Sequence, residues 1–277
     1  MRFAKVYIEI SNLCNLSCRF CPGTKRPRGN MAEDQFSHIL DKLQGYTEFV
    51  YFHLMGEPLL HRSLPRYLAL AEEKGFKVIL TTNGTLLRQR QELLLSSPAV
   101  HKVNISLHAF EANDLPVPFE SYLDTCFSYG QAAQGKKLTV FRLWNEGGEN
   151  AQNAAILEKL EACFPKPWLK GRRGTQIAPK VYLEPGEKFD WPDLSAPEEE
   201  GPYFCYGLRD QIGILWDGTV VPCCLDHEGD IPLGNLLKQS MEEILDSPRA
   251  KAIYRGFSKK EAAEPLCRRC GYARRFK

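Results

Sequence analysis

Short apolar runs rich in Val, Ile, Phe and Tyr alternate along the chain with stretches whose apolar residues recur at helical spacing, a pattern that predicts βα units feeding a parallel sheet. Six such runs occur, near residues 3–10, 48–54, 76–81, 102–107, 137–143 and 176–183. Between them Phe36, Ile39, Leu40 and Leu43 fall at i, i+3, i+4 and i+7, and Phe119, Tyr122, Leu123, Cys126, Phe127 and Gly130 keep the same period over three turns. Each is expected to be a helix with one buried face. Cys126 lies on that stripe and reads as a small core residue, as does Cys163, which follows Ile156 and Leu160 on a third stripe.

The character of the chain changes after the sixth run. Pro185, Pro192, Pro197 and Pro202 are spaced through Glu-, Gly- and Asp-rich residues, which predicts a linker or a surface crossing. Residues 211–222 then read as a hairpin turning at Asp217-Gly218, and Met241, Ile244 and Leu245 begin a helix that Pro248 interrupts. The expected organisation is an α/β core over 1–184, a linker over 185–204 and a small cysteine-rich extension over 205–277.

Composition limits the functions open to the chain. With 277 residues, 43% hydrophobic and 25% charged, it can bury a full core. A formal charge of +2 is too small to attract nucleic acid at long range. The basic runs Lys25-Arg26-Pro27-Arg28, Arg172-Arg173 and Arg268-Arg269 with Arg274-Arg275 read as solvated surface, or as contacts for an anionic substrate or an electron-donor protein. Charged residues interrupt every candidate membrane span. The segment from Met1 to Glu9 has no uninterrupted apolar stretch of the kind a secretory signal carries, so the ten cysteines are expected in reducing cytoplasm, as metal ligands or buried thiols.

The segment Cys14-Asn15-Leu16-Ser17-Cys18-Arg19-Phe20-Cys21 follows the first strand. Three close cysteines can hold three corners of a four-iron cluster and leave the fourth iron open to a substrate or cofactor. Zinc is the alternative, but it prefers two close ligand pairs, and no fourth Cys or His is suitably spaced nearby. The C-x3-C-x2-C spacing, with the aromatic Phe20 before its last cysteine, resembles the radical S-adenosylmethionine (SAM) superfamily. That resemblance implies that Cys14, Cys18 and Cys21 ligate a [4Fe-4S] cluster whose open iron chelates SAM, and that an electron from the cluster cleaves SAM to a 5'-deoxyadenosyl radical. It also implies a partial (β/α)6 TIM-like barrel with reactive groups at the C-terminal ends of the strands, and Phe20 among the cofactor contacts.

Further motifs fall at those strand ends. Met55-Gly56-Glu57-Pro58 resembles the family's GGEP motif with Met in place of the first Gly, which implies that Gly56, Glu57 and Pro58 bind the SAM amino group. Thr81-Thr82-Asn83-Gly84 resembles the family's T-N-G turn beside the cofactor; its other reading is an ordinary strand-ending turn. Ser106-Leu107-His108 resembles an S-L-D segment whose serine contacts SAM, with His108 in the acidic position and so closer to substrate chemistry, or simply a satisfied polar residue. After the fifth strand, Arg142 and Asn145 are expected to point into the cavity if strand alternation persists, as catalytic or substrate contacts or as structural pairs.

The extension carries a second cysteine set. Cys205, twelve residues, Gly218, four residues and Cys223 resemble the C-x9-15-G-x4-C opening of SPASM and twitch domains, and Cys267 and Cys270 add a close pair. The remainder of a complete SPASM pattern is missing. The resemblance therefore implies one auxiliary [4Fe-4S] cluster on Cys205, Cys223, Cys267 and Cys270, with Cys224 spare; a structural zinc is the alternative. The implied activity is hydrogen abstraction ending in oxidation of a small alcohol or carbohydrate-type substrate, with modification of a ribosomal peptide as the enzymatic rival. A first strand beginning almost at Met1 favours a small molecule, or a peptide recognised by a separate protein. Flavodoxin or ferredoxin is the expected electron donor. A non-catalytic zinc or electron-transfer protein would have no use for the intact Gly56-Glu57-Pro58.

Overall fold

The computed structural model describes residues 2–171, 174–198 and 201–276, so the Arg172-Arg173 run lies outside the described residues. Strands and helices alternate as β1 (Lys5–Ile8), α1 (Glu33–Lys42), β2 (Phe49–Tyr51), α2 (Leu64–Glu73), β3 (Lys77–Thr82), α3 (Leu87–Ser96), β4 (Val100–Ser106), α4 (Phe119–Ala133), β5 (Leu138–Glu146) and α5 (Asn153–Cys163). There follow β6 (Leu169–Gly171), β7 (Gly174–Ala178), β8 (Val181–Glu187), β9 (Gln211–Ile214), β10 (Thr219–Val221), β11 (Gly234–Asn235), α6 (Met241–Asp246) and α7 (Pro248–Ser258). The spatial order is β11-β10-β9-β1-β2-β3-β4-β5-β8-β7-β6. Neighbours from β9 through β8 run parallel, while β10 and β11 at one edge and β7 and β6 at the other pair antiparallel. Among the described residues the sheet does not close, and the fold is a partial TIM-like barrel with helices outside.

One expected strand is corrected. The run at 176–183 is a hairpin, with β7 ending at Ala178 and β8 restarting at Val181 in the opposite direction. Pro179 has no amide hydrogen to continue a ladder, and Lys180 adopts φ 63, a left-handed conformation that turns the chain.

The helices cover the sheet with the faces their periodicity requires. Phe36, Ile39, Leu40 and Leu43 are all 0% exposed, and each such side chain contributes about 1.5–3 kcal/mol of burial. Cys126 is equally buried on α4, and Cys163 packs half-buried at the end of α5. Pro248 does interrupt α6, but it also opens α7: Ser247 closes the first helix and caps the second, its hydroxyl accepting from the Ala250 amide at 3.2 Å.

The C-terminal segment joins this sheet, because β9 pairs in parallel with β1 from Lys5↔Gln211 to Ile8↔Ile214. The β9–β10 hairpin turns at Asp217-Gly218 with Gly218 at φ +85. The loops after β1, β2, β3, β4 and β5 consequently gather on the rim formed by the strands' C-terminal ends.

Candidate active site

The cysteine loop hangs from β1 and is tied at its base by buried polar contacts. Glu9, 0% exposed, receives both terminal nitrogens of Arg26 at 2.6 and 2.9 Å, while the Arg26 Nε donates to the His227 carbonyl at 2.7 Å. Asn12 closes the same loop by donating to the Pro27 carbonyl and accepting from the Gly29 amide, both at 2.9 Å. Arg26 is thus a mostly covered structural cation on a fully buried carboxylate, which corrects the reading of its run as wholly solvated or substrate-facing.

Above this base Cys14, Cys18 and Cys21 come together. Burial raises the proton affinity of all three, Cys18 to about 11, and repulsion from neighbouring thiols of the set adds to it at Cys14 and Cys18. Opposing donors soften that cost: the Leu16 amide reaches Cys14 Sγ at 3.4 Å, and Asn113 Nδ2 reaches Cys18 Sγ at 3.1 Å while its Oδ1 accepts from the Ser17 amide at 3.0 Å.

The β2 loop packs on the start of the cysteine loop. Gly56 sits at φ +81, where a Cβ would lie 2.5 Å from the Ser11 carbonyl oxygen and 2.8 Å from that of Leu13, so only glycine fits. The Glu57 amide donates to the Leu13 carbonyl at 2.8 Å. The Glu57 carboxylate is buried, accepting from the Leu59 amide at 3.0 Å and the Asn83 amide at 2.8 Å. Burial pushes its pKa up to about 7 against the pull of those donors. Pro58 opens the single 3-10 turn that follows. Asn83 in turn donates to Asn15 Oδ1 at 3.0 Å, tying the third strand end to the cysteine loop.

The remaining candidates differ in their partners. The Ser106 carbonyl at the end of β4 accepts from the Tyr122 hydroxyl at 3.3 Å. His108 packs its ring on Phe20 at 4.9 Å, and its Nδ1 lies 3.1 Å from the Arg142 carbonyl and 3.4 Å from the Trp144 amide. Burial lowers its pKa to about 4, so it is neutral. Arg142 pairs with Glu184 at 3.1 Å, stacks on Trp144 at 4.4 Å, and exerts its charge on Tyr7, Tyr51, His53, His108 and Tyr272, the groups of the barrel interior. Asn145 instead exchanges hydrogen bonds with Asn153 at 3.0 and 3.1 Å and donates to the Glu149 carbonyl at 2.7 Å. The expectation that both face the cavity is corrected for Asn145: its bonds to Asn153 turn it to the start of α5, and the irregular β5–β8 pairing between Leu143 and Glu146 breaks simple alternation there.

The second thiol set lies beyond β9. Cys223 is its centre, raised well above the ordinary range by burial and then by Cys205, Cys224, Cys270 and Cys267; Cys267 is raised likewise by burial, Cys205 and Cys270. The Gly207 amide donates to Cys205 Sγ at 3.4 Å. Among the described residues no three His, Cys, Asp or Glu side chains converge as a single metal ion requires. Arg268 and Arg269 pair with Glu198 at 3.2 and 2.9 Å, which removes them from the reading of free basic surface.

Family models match two parts of the chain, "Radical SAM superfamily" over residues 8–126 and the SPASM "Iron-sulfur cluster-binding domain" over 205–271. The chain contains a radical SAM domain and, after it, a SPASM region. Among curated relatives, the tungsten-containing aldehyde ferredoxin oxidoreductase cofactor-modifying protein of Pyrococcus furiosus is 34% identical over 109 residues, covering 37% of this chain and 30% of that protein. The S-adenosyl-L-methionine-dependent 2-deoxy-scyllo-inosamine dehydrogenase of Niallia circulans is 25% identical over 114 residues, covering 39% of this chain and 46% of that one. The matched part thus spans 30% and 46% of these two relatives' lengths. In fold, the chain resembles BtrN crystallised with AdoMet and 2-DOIA, with a TM-score of 0.64, 17% identity and coverage of 98% of this chain and 93% of that one. It also resembles Streptococcus suis SuiB bound to its precursor peptide SuiA, with a TM-score of 0.63, 15% identity and coverage of 98% and 71%.

The residues present fit the groups that radical SAM and SPASM domains carry. Desolvation and mutual repulsion disfavour the thiolate form in both partly buried sets, and a positively charged iron-sulfur core would offset that cost when the cysteines ligate it. The Gly56 backbone leaves no side chain between the β2 loop and the cysteine loop. Several participants escaped the motifs: Asn113 lies 95 residues from the thiol it contacts, and Glu9–Arg26 and Tyr7 carry no local signature. Glu9 and Asn12, polar residues at the end of an apolar strand, are the one signal that could have pointed to the loop's anchors.

Proposed function

We propose that this radical SAM chain cleaves SAM reductively and oxidises a small alcohol or carbohydrate-type substrate. The observation that carries the reading is the pairing of a three-cysteine set with a separate four-cysteine set on the same sheet, the first after β1 and the second beside β9, which is paired to β1. When bound, the three-cysteine cluster and SAM supply a 5'-deoxyadenosyl radical that removes a substrate hydrogen. Cys14, Cys18 and Cys21 would hold that cluster, with Gly56, Glu57, Pro58, Asn83, Ser106 and Phe20 around the cofactor. Cys205, Cys223, Cys267 and Cys270 would leave no iron open on the second cluster, which suits an electron acceptor. His108, neutral and beside Phe20, would take the alcohol proton, and Arg142 would orient the substrate. A relative named as a 2-deoxy-scyllo-inosamine dehydrogenase and the fold likeness to BtrN with 2-DOIA support the alcohol reading.

The likeness to SuiB with its precursor peptide favours a second reading, peptide modification. An acidic donor such as flavodoxin or ferredoxin would supply electrons in a reducing cytoplasm, where ten free thiols persist. The test is isotope transfer. Anaerobically reconstituted protein with dithionite and SAM should move deuterium from C–D-labelled 2-deoxy-scyllo-inosamine or a related cyclitol into 5'-deoxyadenosine; transfer only from a labelled peptide would replace the first reading by the second.

A further inference from the structure

The loop that joins β4 to α4 lies along the cysteine loop. The Arg19 amide donates to the Ala112 carbonyl at 3.1 Å, and the Ser17 amide donates to Asn113 Oδ1 at 3.0 Å. Cys18 falls between these two contacts. Its Sγ lies 3.1 Å from Asn113 Nδ2, and the same nitrogen gives its other hydrogen to the Ala109 carbonyl at 2.7 Å. The Asn113 amide donates to the Phe110 carbonyl at 3.1 Å, closing the turn that presents the side chain to the sulfur.

These partners fix which way the carboxamide points. Ser17 offers a hydrogen and Ala109 a lone pair, so the reversed amide would set N–H against N–H and oxygen against oxygen. Only the orientation with nitrogen toward Cys18 satisfies all three groups. The partners also distinguish asparagine from aspartate. Either residue could close such a turn and accept from the Ser17 amide. A carboxylate, however, has no hydrogen for the sulfur and would add negative charge beside thiolates. Among the donors to this cysteine set, the Leu16 amide stands 3.4 Å from Cys14 Sγ and Asn83 Nδ2 stands 4.0 Å from it, so Asn113 makes the shortest of the three contacts.

A hydrogen bond to a ligating sulfur favours the reduced cluster over the oxidised one, because reduction adds one negative charge to the core and its thiolates. We propose that Asn113 is a tuning residue for the three-cysteine cluster: its N–H···S bond to Cys18 raises the reduction potential and so the fraction of chains that a one-electron donor can reduce. The proposal rests on the reading of Cys14, Cys18 and Cys21 as the ligands of that cluster. The electron comes from the external reductant, dithionite in the assay, and Asn113 keeps both of its hydrogens throughout.

The test uses the full chain, reconstituted anaerobically. The signal followed is the electron paramagnetic resonance of the reduced cluster that changes when SAM is added, which separates it from any auxiliary cluster. Iron content is measured first, then the midpoint by potentiometric titration. Asn113→Asp keeps the acceptor for Ser17 and loses the donor for Cys18, while Asn113→Leu loses the donor without adding charge. Both should keep their iron and move the midpoint to more negative potential. For Asn113→Asp the expected change is roughly a tenfold drop in the equilibrium constant of one-electron reduction, about 59 mV, and for Asn113→Leu a smaller drop. In a chain carrying heavy nitrogen in its asparagine side chains, pulsed resonance should show a nitrogen coupling to the reduced signal that Asn113→Asp weakens. An unmoved midpoint in Asn113→Leu overturns the proposal, and a shift in Asn113→Asp alone assigns the effect to charge and overturns it too. Iron loss in both variants makes Asn113 a structural tie of the loop, again against the proposal. If only Asn113→Leu loses iron, the nitrogen coupling decides: weakening in Asn113→Asp supports the sulfur bond, and an unchanged coupling overturns it. A wild-type chain without a SAM-responsive signal fails before any variant is made, and that result removes the reading of the three cysteines itself.

Discussion

Replacing Arg26 with alanine tests whether the loop is anchored by a buried charge or merely decorated by a surface one. The Arg26 side chain is 12% exposed and that of Glu9 0%, and truncation would leave the carboxylate with two long amide donors, Met55 at 3.3 Å and Trp216 at 3.2 Å. Breaking a buried pair by removing one partner costs about 3–5 kcal/mol, against about 0–1 kcal/mol for an exposed pair. About 4 kcal/mol corresponds to roughly a thousandfold loss in the folding equilibrium. Urea unfolding of the iron-free chain, followed by tryptophan fluorescence with Trp216 beside the pair, measures it. Because the penalty is the uncompensated carboxylate, Arg26→Met with Glu9→Leu should cost less than Arg26→Ala alone. A loss below about 1 kcal/mol for Arg26→Ala, or a double variant as damaged as the single one, would refute the buried-anchor argument.

Replacing Cys14, Cys18 and Cys21 with alanine should abolish 5'-deoxyadenosine formation, and product analysis by chromatography showing unchanged SAM cleavage would sink the assignment of the loop. Glu57→Ala should retain iron but weaken SAM binding by about 1.5–3 kcal/mol, read by equilibrium binding, as expected for loss of a charge-assisted hydrogen bond. Glu57 also sets a pH dependence: its pKa is raised from 4.5 to about 7 in the folded chain, so its favourable contribution is complete below 4.5 and is lost as pH rises through about 7. Glu57→Gln should flatten that part of the stability profile of the iron-free protein, and an unchanged slope in urea melts would assign it to another group. Cys267→Ala with Cys270→Ala should still cleave SAM while forming no oxidised product, and one zinc in place of the second cluster on metal analysis would make those cysteines structural.

The linear sequence determined what depends on short spacing. Helical and strand periodicity located the βα units because each element buries a face within its own few turns, as the fully buried Phe36, Ile39, Leu40 and Leu43 illustrate. The cysteine loop, the Gly56-Glu57 turn and the Asp217-Gly218 hairpin were legible for the same reason, since each needs particular residues at adjacent positions. Local pattern misjudged 176–183, where Pro179 and a left-handed Lys180 reverse the chain inside an otherwise strand-like run. The tertiary structure alone decided which groups meet. Parallel pairing of β9 with β1 packs Cys224 against the cluster that holds Tyr7, the loop between β4 and α4 sets Asn113 on Cys18, and Asn145 bonds Asn153 while Arg142 pairs with Glu184. Arg26 belonged to a basic run in sequence and to Glu9 in space. Charge and polarity can be read residue by residue, but a side chain's partner depends on the sheet order and register that bring distant segments together, and no local period records them.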